Sequence, residues 1–170
     1  MSLDQTDFAI LSQLAKNARI SNKEMAAAVG LAPSSCHERI KLLKGRGVLS
    51  GAHADLNLRS LGLGIEALLF IQVKKLRAET VDDYLRKAAA VPEVRNVFLV
   101  SGQFDLIAHV AVRDMEHLKQ VISERLHQPF VIRVETSVIF NRVTNHEIPI
   151  SESGRTDAKT RNEPQFRRHG

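Results

Sequence analysis

The chain contains a single cysteine, Cys36, among its 170 residues. One cysteine excludes an internal disulfide and is typical of a protein that works in a reducing compartment. No apolar run approaches the roughly 20 residues that span a bilayer. The N-terminal segment is amphipathic and charged, unlike a signal peptide. We therefore expect a cytoplasmic protein with no membrane association.

Patterns typical of enzymes are also missing. The seven histidines are scattered, and no pair has a metal-ligand spacing with a third ligand nearby. The sequence has no phosphate-binding loop and no nucleophile elbow. Cys36 falls on the apolar side of a predicted helix, which favours a small core residue over a nucleophile. We expect no enzymatic activity, no metal and no cofactor.

The composition is that of an ordinary globular protein, with 44% apolar and 25% charged residues. A chain of this length forms one large domain or two small ones. The net charge of +5 is unevenly placed, because residues 1–50 hold seven lysines and arginines against four acidic residues. A positive excess at this end suits contacts to phosphate.

Residues 19–51 have the pattern of two short helices joined by a tight turn. Ser21 and Glu24, three residues apart, predict a capping box at the start of the first helix. Gly30 predicts the turn, and Pro33 suits the first turn of the second helix. The spacing i, i+4, i+7 then predicts a buried stripe formed by Cys36, Ile40 and Leu43. This geometry is the one that lays a helix in the major groove of DNA, although any two-helix corner with a solvated charged face gives a similar pattern.

The outward positions supply the predicted DNA contacts, since early residues of a recognition helix reach base edges and later basic residues reach phosphate. The residues predicted near bases are Ser34, Ser35, His37 and Glu38. The residues predicted near phosphate are Lys41 and Lys44, together with Arg19, Ser21 and Asn22 before the first helix.

Several of these side chains have alternative roles. Ser34 is also able to satisfy free N–H groups at the helix start. Glu38 is able to accept from a cytosine amine or to pair with Lys41 on the same helix face. Arg39 lies beside the buried stripe, which favours an internal ion pair over a base contact.

The whole pattern predicts four regions. They are a helix-turn-helix domain at 1–50, a connecting strand and hinge at 51–64, an effector-binding and oligomerisation domain at 65–150, and a disordered basic tail at 151–170. Three helices are expected between Asp4 and Lys44, with a small strand or wing and a connecting strand within residues 48–58. The tail either adds DNA affinity or only solubilises the chain.

From Ile65 onward the predicted order is β-α-β-β-α-β, the ferredoxin-like arrangement of an antiparallel sheet. The strands are expected at residues 65–73, 94–101, 105–112 and 131–140. The helices are expected from Thr80, capped with Asp83, and from Asp114, with Met115 facing inward. Leu68 and Phe70 make the second face of the first strand apolar, so we expect this face to pack on another subunit.

These features resemble the leucine-responsive regulatory protein (Lrp/AsnC, or feast/famine) family of transcription regulators. The resemblance spans roughly the first 150 residues. It is carried by Leu3-Asp4-x-x-Asp7-x-x-Ile10-Leu11, Arg19-Ile20-Ser21-Asn22, Val29-Gly30-Leu31-Ala32-Pro33-Ser34-Ser35-Cys36-x-Glu38-Arg39 and Leu99-Val100-Ser101-Gly102-Gln103-Phe104-Asp105.

The resemblance implies an α+β protein with an N-terminal winged helix-turn-helix and a C-terminal ferredoxin-like RAM domain. It implies a sequence-specific regulator that binds double-stranded DNA in the nucleoid as a dimer, or as an octamer or other even oligomer. A small amino acid would bind between dimers and act as the effector. The effector residues implied are Ser101, Gly102, Gln103, Phe104 and Asp105, with Thr136 and Ser137 on the last strand.

Two positions depart from the family pattern. Gln103 stands where an acidic residue is common, and Gln128-Pro129-Phe130 stands where a glycine usually precedes the last strand. Both changes touch the implied effector site. Two other functions therefore stay open: an architectural DNA-wrapping protein without an effector, and a metabolite-binding regulatory subunit without a DNA function.

Overall fold

The computed structural model describes residues 3–74 and 77–147. The described chain forms two compact units, one up to His53 together with residues 145–147 and the other from Ala54 to Thr144. Within the described ranges no helix is long and apolar enough to cross a bilayer. The predicted tail at 151–170 lies outside the described residues.

The first unit contains three helices: α1 (Gln5–Lys16), α2 (Asn22–Ala28) and α3 (Pro33–Gly45). Both of the first two helices begin with a reciprocal capping box, Asp4 with Asp7 for α1 and Ser21 with Glu24 for α2. The predicted Ser21–Glu24 box is thus confirmed, and so is the buried position of Cys36. The core of this unit consists of Ile10, Met25, Ala26, Cys36 and Leu43.

Gly30 makes the turn between α2 and α3, as predicted. Its φ is 69°, in the left-handed region that a residue with a Cβ adopts only at a cost. The chain then reverses so that the Leu31 N–H donates to the Ala26 carbonyl at 2.9 Å. Pro33 follows as the first residue of α3, where its missing N–H removes no helical hydrogen bond.

Residues 48–58 form no strand, so the strands predicted there are wrong for this chain. A short helical turn, Arg59–Leu61, follows this segment and ends at Gly62. An extended segment is stable as a strand only where a neighbouring strand pairs with its N–H and C=O groups. The four strands of the described residues pair with one another and not with residues 48–58.

The second unit is a four-stranded antiparallel sheet with helices on one side. Its strands are β1 (Ile65–Val73), β2 (Val94–Leu99), β3 (Leu106–Val112) and β4 (Val131–Val138), in the order β2-β3-β1-β4. Its helices are α4 (Ala78–Ala89) and α5 (Met115–Gln120), which continues as a π-helical segment, Val121–Leu126. The strand order and pairing confirm the predicted ferredoxin-like fold.

Several details differ from the sequence prediction. Helix α4 begins at Ala78, so Thr80 lies inside its first turn and the predicted Thr80–Asp83 cap is wrong. Asp83 instead pairs with Lys87 at 2.8 Å. Met115, expected inside, is half exposed because it is the first residue after the Asp114 cap and precedes the buried turn of α5. The first strand has the predicted bounds, and the other three strands are one or two residues shorter than predicted.

The two faces of the sheet have different surroundings. Ala67, Leu69 and Ile71 of β1 are fully buried in the core that includes the residues of α4 and α5. Leu68 and Phe70 point to the opposite face, where they sit beside residues of β3. This second face, which we call the open face, also carries Ile107 and the half-exposed Phe98. As predicted, both faces of the sheet carry apolar side chains.

Candidate DNA interface and candidate effector turn

The outward surface of α3 holds the predicted base and phosphate contacts. Its members are all exposed and lie opposite the buried stripe: Ser34, Ser35, His37, Glu38, Lys41 and Lys44. We call this surface the α3 face. The residue before α3, Ala32, has no side chain that caps the helix. The N–H groups at the start of α3 are therefore left for an outside acceptor such as a phosphate.

Arg39 belongs to the inner side of α3 and binds the start of α1. Its Nη1 lies 2.7 Å from Asp4 Oδ2 and 2.8 Å from Asp7 Oδ1. Asp7 is the one buried charged residue in the described chain. The Asp7 N–H, and next the Arg39 guanidinium, hold the pKa of Asp4 below its ordinary value. The predicted internal ion pair is confirmed, and Arg39 is not part of the α3 face.

Ser21 and Asn22 shape the motif from within. The Ser21 hydroxyl accepts from the Glu24 N–H at 3.2 Å, and the Glu24 carboxylate accepts from the Ser21 N–H at 3.0 Å. The pKa of Glu24 is lowered because its carboxylate is hydrogen-bonded by the Ser21 side chain and next by the Ser21 N–H. The Asn22 side-chain NH₂ donates to the Pro33 carbonyl at 2.8 Å and so ties α2 to the start of α3. The Arg19 side chain is exposed at the end of the preceding loop. Phosphate contacts by these three residues stay a prediction.

The charged residues of the α3 face have no partner among the residues that the structure describes. Among residues 3–74 and 77–147, no ion pair or side-chain hydrogen bond holds Glu38, Lys41 or Lys44. The alternative in which Glu38 pairs with Lys41 is therefore not observed. One member of this surface was missed from sequence, Leu42, whose side chain is 54% exposed. Its position off the stripe of Cys36, Ile40 and Leu43 was the available signal.

The predicted effector turn connects β2 to β3. Gly102 has a φ of 123°, which explains why the turn needs glycine. The Asp105 N–H donates to the Ile71 carbonyl at 3.0 Å, and Asp105 Oδ2 accepts from the Val73 N–H at 2.9 Å. Phe104 stacks at a tilt on Phe70, with 5.5 Å between ring centroids. These contacts fasten the turn to the end of β1.

The other implied effector residues lie on a different element, β4. Ser101 and Gln103 are exposed in the turn itself. Thr136 and Ser137 are exposed on the edge strand β4, where they pair with Leu69 and Leu68 in the middle of β1. The sequence-predicted set is therefore divided into a turn and a separate strand position.

Two cavities of the described chain lie away from the effector turn, and the first is lined in part by His37, Lys41 and Lys44 of the α3 face. One of about 620 Å³ lies in the first unit among α1, α2 and α3. The other, of about 580 Å³, lies in the second unit beside Asp55, Glu66 and Arg142. Neither is lined by a residue of the effector turn. The described residues contain no group of three histidine, cysteine or acidic side chains that could hold a metal ion.

Comparison with known proteins identifies both units. Residues 3–50 match the model of a winged helix-turn-helix DNA-binding domain, and residues 66–149 match that of the Lrp/AsnC ligand binding domain. The chain is 34% identical over 142 residues to the HTH-type transcriptional regulator AldR of Mycolicibacterium smegmatis, with 83% of each protein covered. It is 31% identical over 160 residues to the leucine-responsive regulatory protein of Escherichia coli K12, covering 94% of this chain and 93% of that protein.

A solved structure agrees with these matches. A transcriptional regulator of Neisseria meningitidis, determined in complex with L-Met, superposes with a TM-score of 0.79 at 25% identity. The superposition covers 90% of this chain and 99% of that chain. With a DNA-binding helix-turn-helix followed by a ligand-binding domain, the chain belongs to the Lrp/AsnC family of transcription regulators.

Proposed function

We propose that this protein is a sequence-specific DNA-binding transcription regulator whose DNA affinity responds to a small amino acid bound between dimers. The observation that carries the DNA-binding part is the α3 face, whose charged side chains have no partner in the described chain. Such a protein has no catalytic role and works in the cytoplasm, on the DNA of the nucleoid. The proposed contacts are those predicted from the sequence.

The effector part of the proposal is supported by the ligand-binding family match and by the Neisseria relative that was solved with L-Met. Ser101 and Gln103 of the turn and Thr136 and Ser137 of β4 are exposed, so a second copy of the chain is able to reach them. We therefore propose that dimers assemble into an octamer or another even oligomer and that the amino acid binds where dimers meet.

A second candidate function is an architectural protein that wraps DNA without an effector. This function is favoured because one oxygen of the Asp105 carboxylate already accepts from the Val73 N–H and is engaged within the chain. Gln103 brings no negative charge to the turn, so an effector ammonium group gains less there than from an acidic residue.

The experiment that separates these functions is a titration of the full-length protein with each of the twenty amino acids. We expect at least one to raise the melting temperature, to change the mass in light scattering, and to change the affinity for DNA. An amino acid that binds equally well to the DNA-bound and the DNA-free protein would leave the affinity for DNA unchanged. A Gln103→Glu variant is the matched probe, and it should bind that amino acid more tightly.

The remaining outcomes are distinct. If no amino acid changes melting temperature or mass while DNA binding persists, the architectural function replaces the regulator. If the protein does not bind DNA even at low salt, it is a metabolite-binding subunit and the DNA-binding proposal fails.

A further inference from the structure

Leu42 lies on the α3 face, although it is apolar. The side chain is 54% exposed, whereas its neighbour Leu43 is 1% exposed. At 100° per residue, Ser35, Glu38 and Leu42 form one line along the outside of the helix, with spacing i, i+3, i+7. A single exposed leucine does not by itself indicate a binding site. The residues around Leu42 do indicate one.

The polar neighbours of Leu42 are arranged for an outside partner. Glu38 lies one turn before Leu42, and Lys41 lies about 100° around the helix from it. Both are exposed and without an ion pair in the part of the chain that the structure describes. On the opposite flank Arg39 is fully engaged with Asp4 and Asp7. The Lys41 ammonium beside Leu42 therefore remains for an anionic partner such as the DNA backbone.

An apolar side chain has one matching group in the major groove. The base edges there present hydrogen-bond donors and acceptors, and the only apolar group is the C5 methyl of thymine. We propose that Leu42 contacts a thymine methyl and so makes α3 select a T·A pair. This inference rests on the proposed DNA binding by α3 and adds a base preference to it.

The position of this thymine follows from the helix. Leu42 is four residues after Glu38, which corresponds to about 6 Å along the helix axis. Base pairs are spaced about 3.4 Å apart. The thymine should therefore lie within about two base pairs of the base that faces Glu38.

The test replaces thymine by deoxyuridine, which removes only the methyl group. Duplexes selected by the full-length protein from a random library are bound again with one thymine replaced at a time. For the wild type we expect one position in each half-site where uridine weakens binding about fourfold, the value of one buried methyl group. For Leu42→Ala and Leu42→Gln, uridine at that position should cause no loss.

Leu61→Ala is the matched control, because Leu61 is also an exposed leucine but lies in the other unit. It should keep the full uridine penalty. The inference is overturned if deoxyuridine weakens binding by the same factor in the wild type and in both Leu42 variants. It is also overturned if deoxyuridine weakens wild-type binding at no position of the site. A wild type that binds duplexes without base preference overturns it too, yet leaves DNA binding in place. Loss of all DNA binding by the wild type refutes the proposed function itself.

Discussion

Individual side chains of α3 are divided between two tasks. Arg39, on the inner side, bridges Asp4 and Asp7 and joins α3 to α1. Lys41 and Glu38, on the outer side, have no partner in the described residues. Arg39, near the buried stripe, thus stabilises the fold, whereas Lys41, which points away from it, is proposed to bind DNA.

Acid should weaken the first unit through its caps. The Asp7 N–H and next Arg39 lower the pKa of Asp4 in the folded chain. The unfolded chain lacks these contacts, and there the pKa of Asp4 has its ordinary value of 3.8. A carboxyl whose pKa is lower in the folded state than in the unfolded state stabilises the fold at pH values above the unfolded pKa. This stabilisation is lost as the pH falls through the folded pKa. We expect the free energy of unfolding, from urea titrations, to fall between about pH 5 and about pH 3.

The matched variants for this prediction are Arg39→Ala and Arg95→Ala. Both remove one positive charge, but Arg95 is exposed on β2 and far from the Asp4 cap in sequence. Arg39→Ala should be less stable at neutral pH and show a smaller loss in acid. An identical pH profile for Arg39→Ala and Arg95→Ala would contradict the role of the Asp4 pair.

Lys41 is predicted to contact phosphate. Lys41→Ala should weaken binding to all duplexes alike and lower the slope of log affinity against log salt by about 0.9. The measurement is fluorescence anisotropy of labelled duplexes over a range of salt concentrations. Lys87→Ala is the control, since Lys87 is an exposed lysine of α4 that pairs with Asp83. An unchanged salt slope in Lys41→Ala would rule out the phosphate contact.

Among the elements, those defined by short-range contacts were predicted well. The capping box of Ser21 and Glu24, the turn at Gly30 and the proline at the start of α3 were found as expected. Each depends on atoms within about four residues, so the local sequence contains all the information. The order of strands and helices in the second unit was recovered from alternation and helical periodicity for the same reason.

Other elements depend on partners far along the chain. Residues 48–58 alternate like a strand but pair with no strand in the described part of the chain. Thr80 has the residue type of a helix cap, yet α4 begins earlier, after Arg77. Local propensity favours a strand or a helix start at such residues, but hydrogen-bond partners and packing determine whether it forms.

The Gly30 turn provides a test at this scale. Gly30→Ala should lower the free energy of unfolding by about 1–2 kcal/mol, because alanine is strained in the left-handed region. The strain is in the backbone alone, since a Cβ at Gly30 would meet no atom within 4 Å. Urea titration of the full-length protein measures the loss.

Gly45→Ala is the control for Gly30→Ala. Gly45 ends α3 with a φ outside the positive range, and a Cβ there also meets no atom within 4 Å. Alanine should stabilise this site by roughly 0.5 kcal/mol. Equal effects of the two substitutions would show that the conformation of Gly30 is not what the turn requires.

In the whole molecule, the open face of the sheet is the surface available to a second copy. Phe98 and Phe70 lie on it, and Phe70 also contacts Phe104 of the effector turn. The Glu66–His109 pair, at 3.0 Å, lies on the same face, as the strand register requires. The predicted dimer surface and the predicted effector turn are therefore in contact through two aromatic rings.

Assembly through this face is tested by Phe98→Asp. A carboxylate in an apolar interface is costly to desolvate, so we expect the variant to have the mass of one chain, 18.9 kDa, in light scattering. Met115→Asp is the control, because Met115 is equally exposed but is the first residue of α5, where an acidic residue is tolerated. A wild type that is already monomeric at micromolar concentration would refute the predicted dimer.

The sequence by itself determined the family, the order of elements, the caps and the glycine turn, because these follow from residue types at short spacings. The sequence also predicted that Arg39 pairs inside the fold, but only the tertiary structure decided which carboxylates it meets. Arg39 and Asp4 are 35 residues apart, and no local pattern says that they meet. The exposure of Leu42 was decided in the same way, by how α3 packs against α1 and α2.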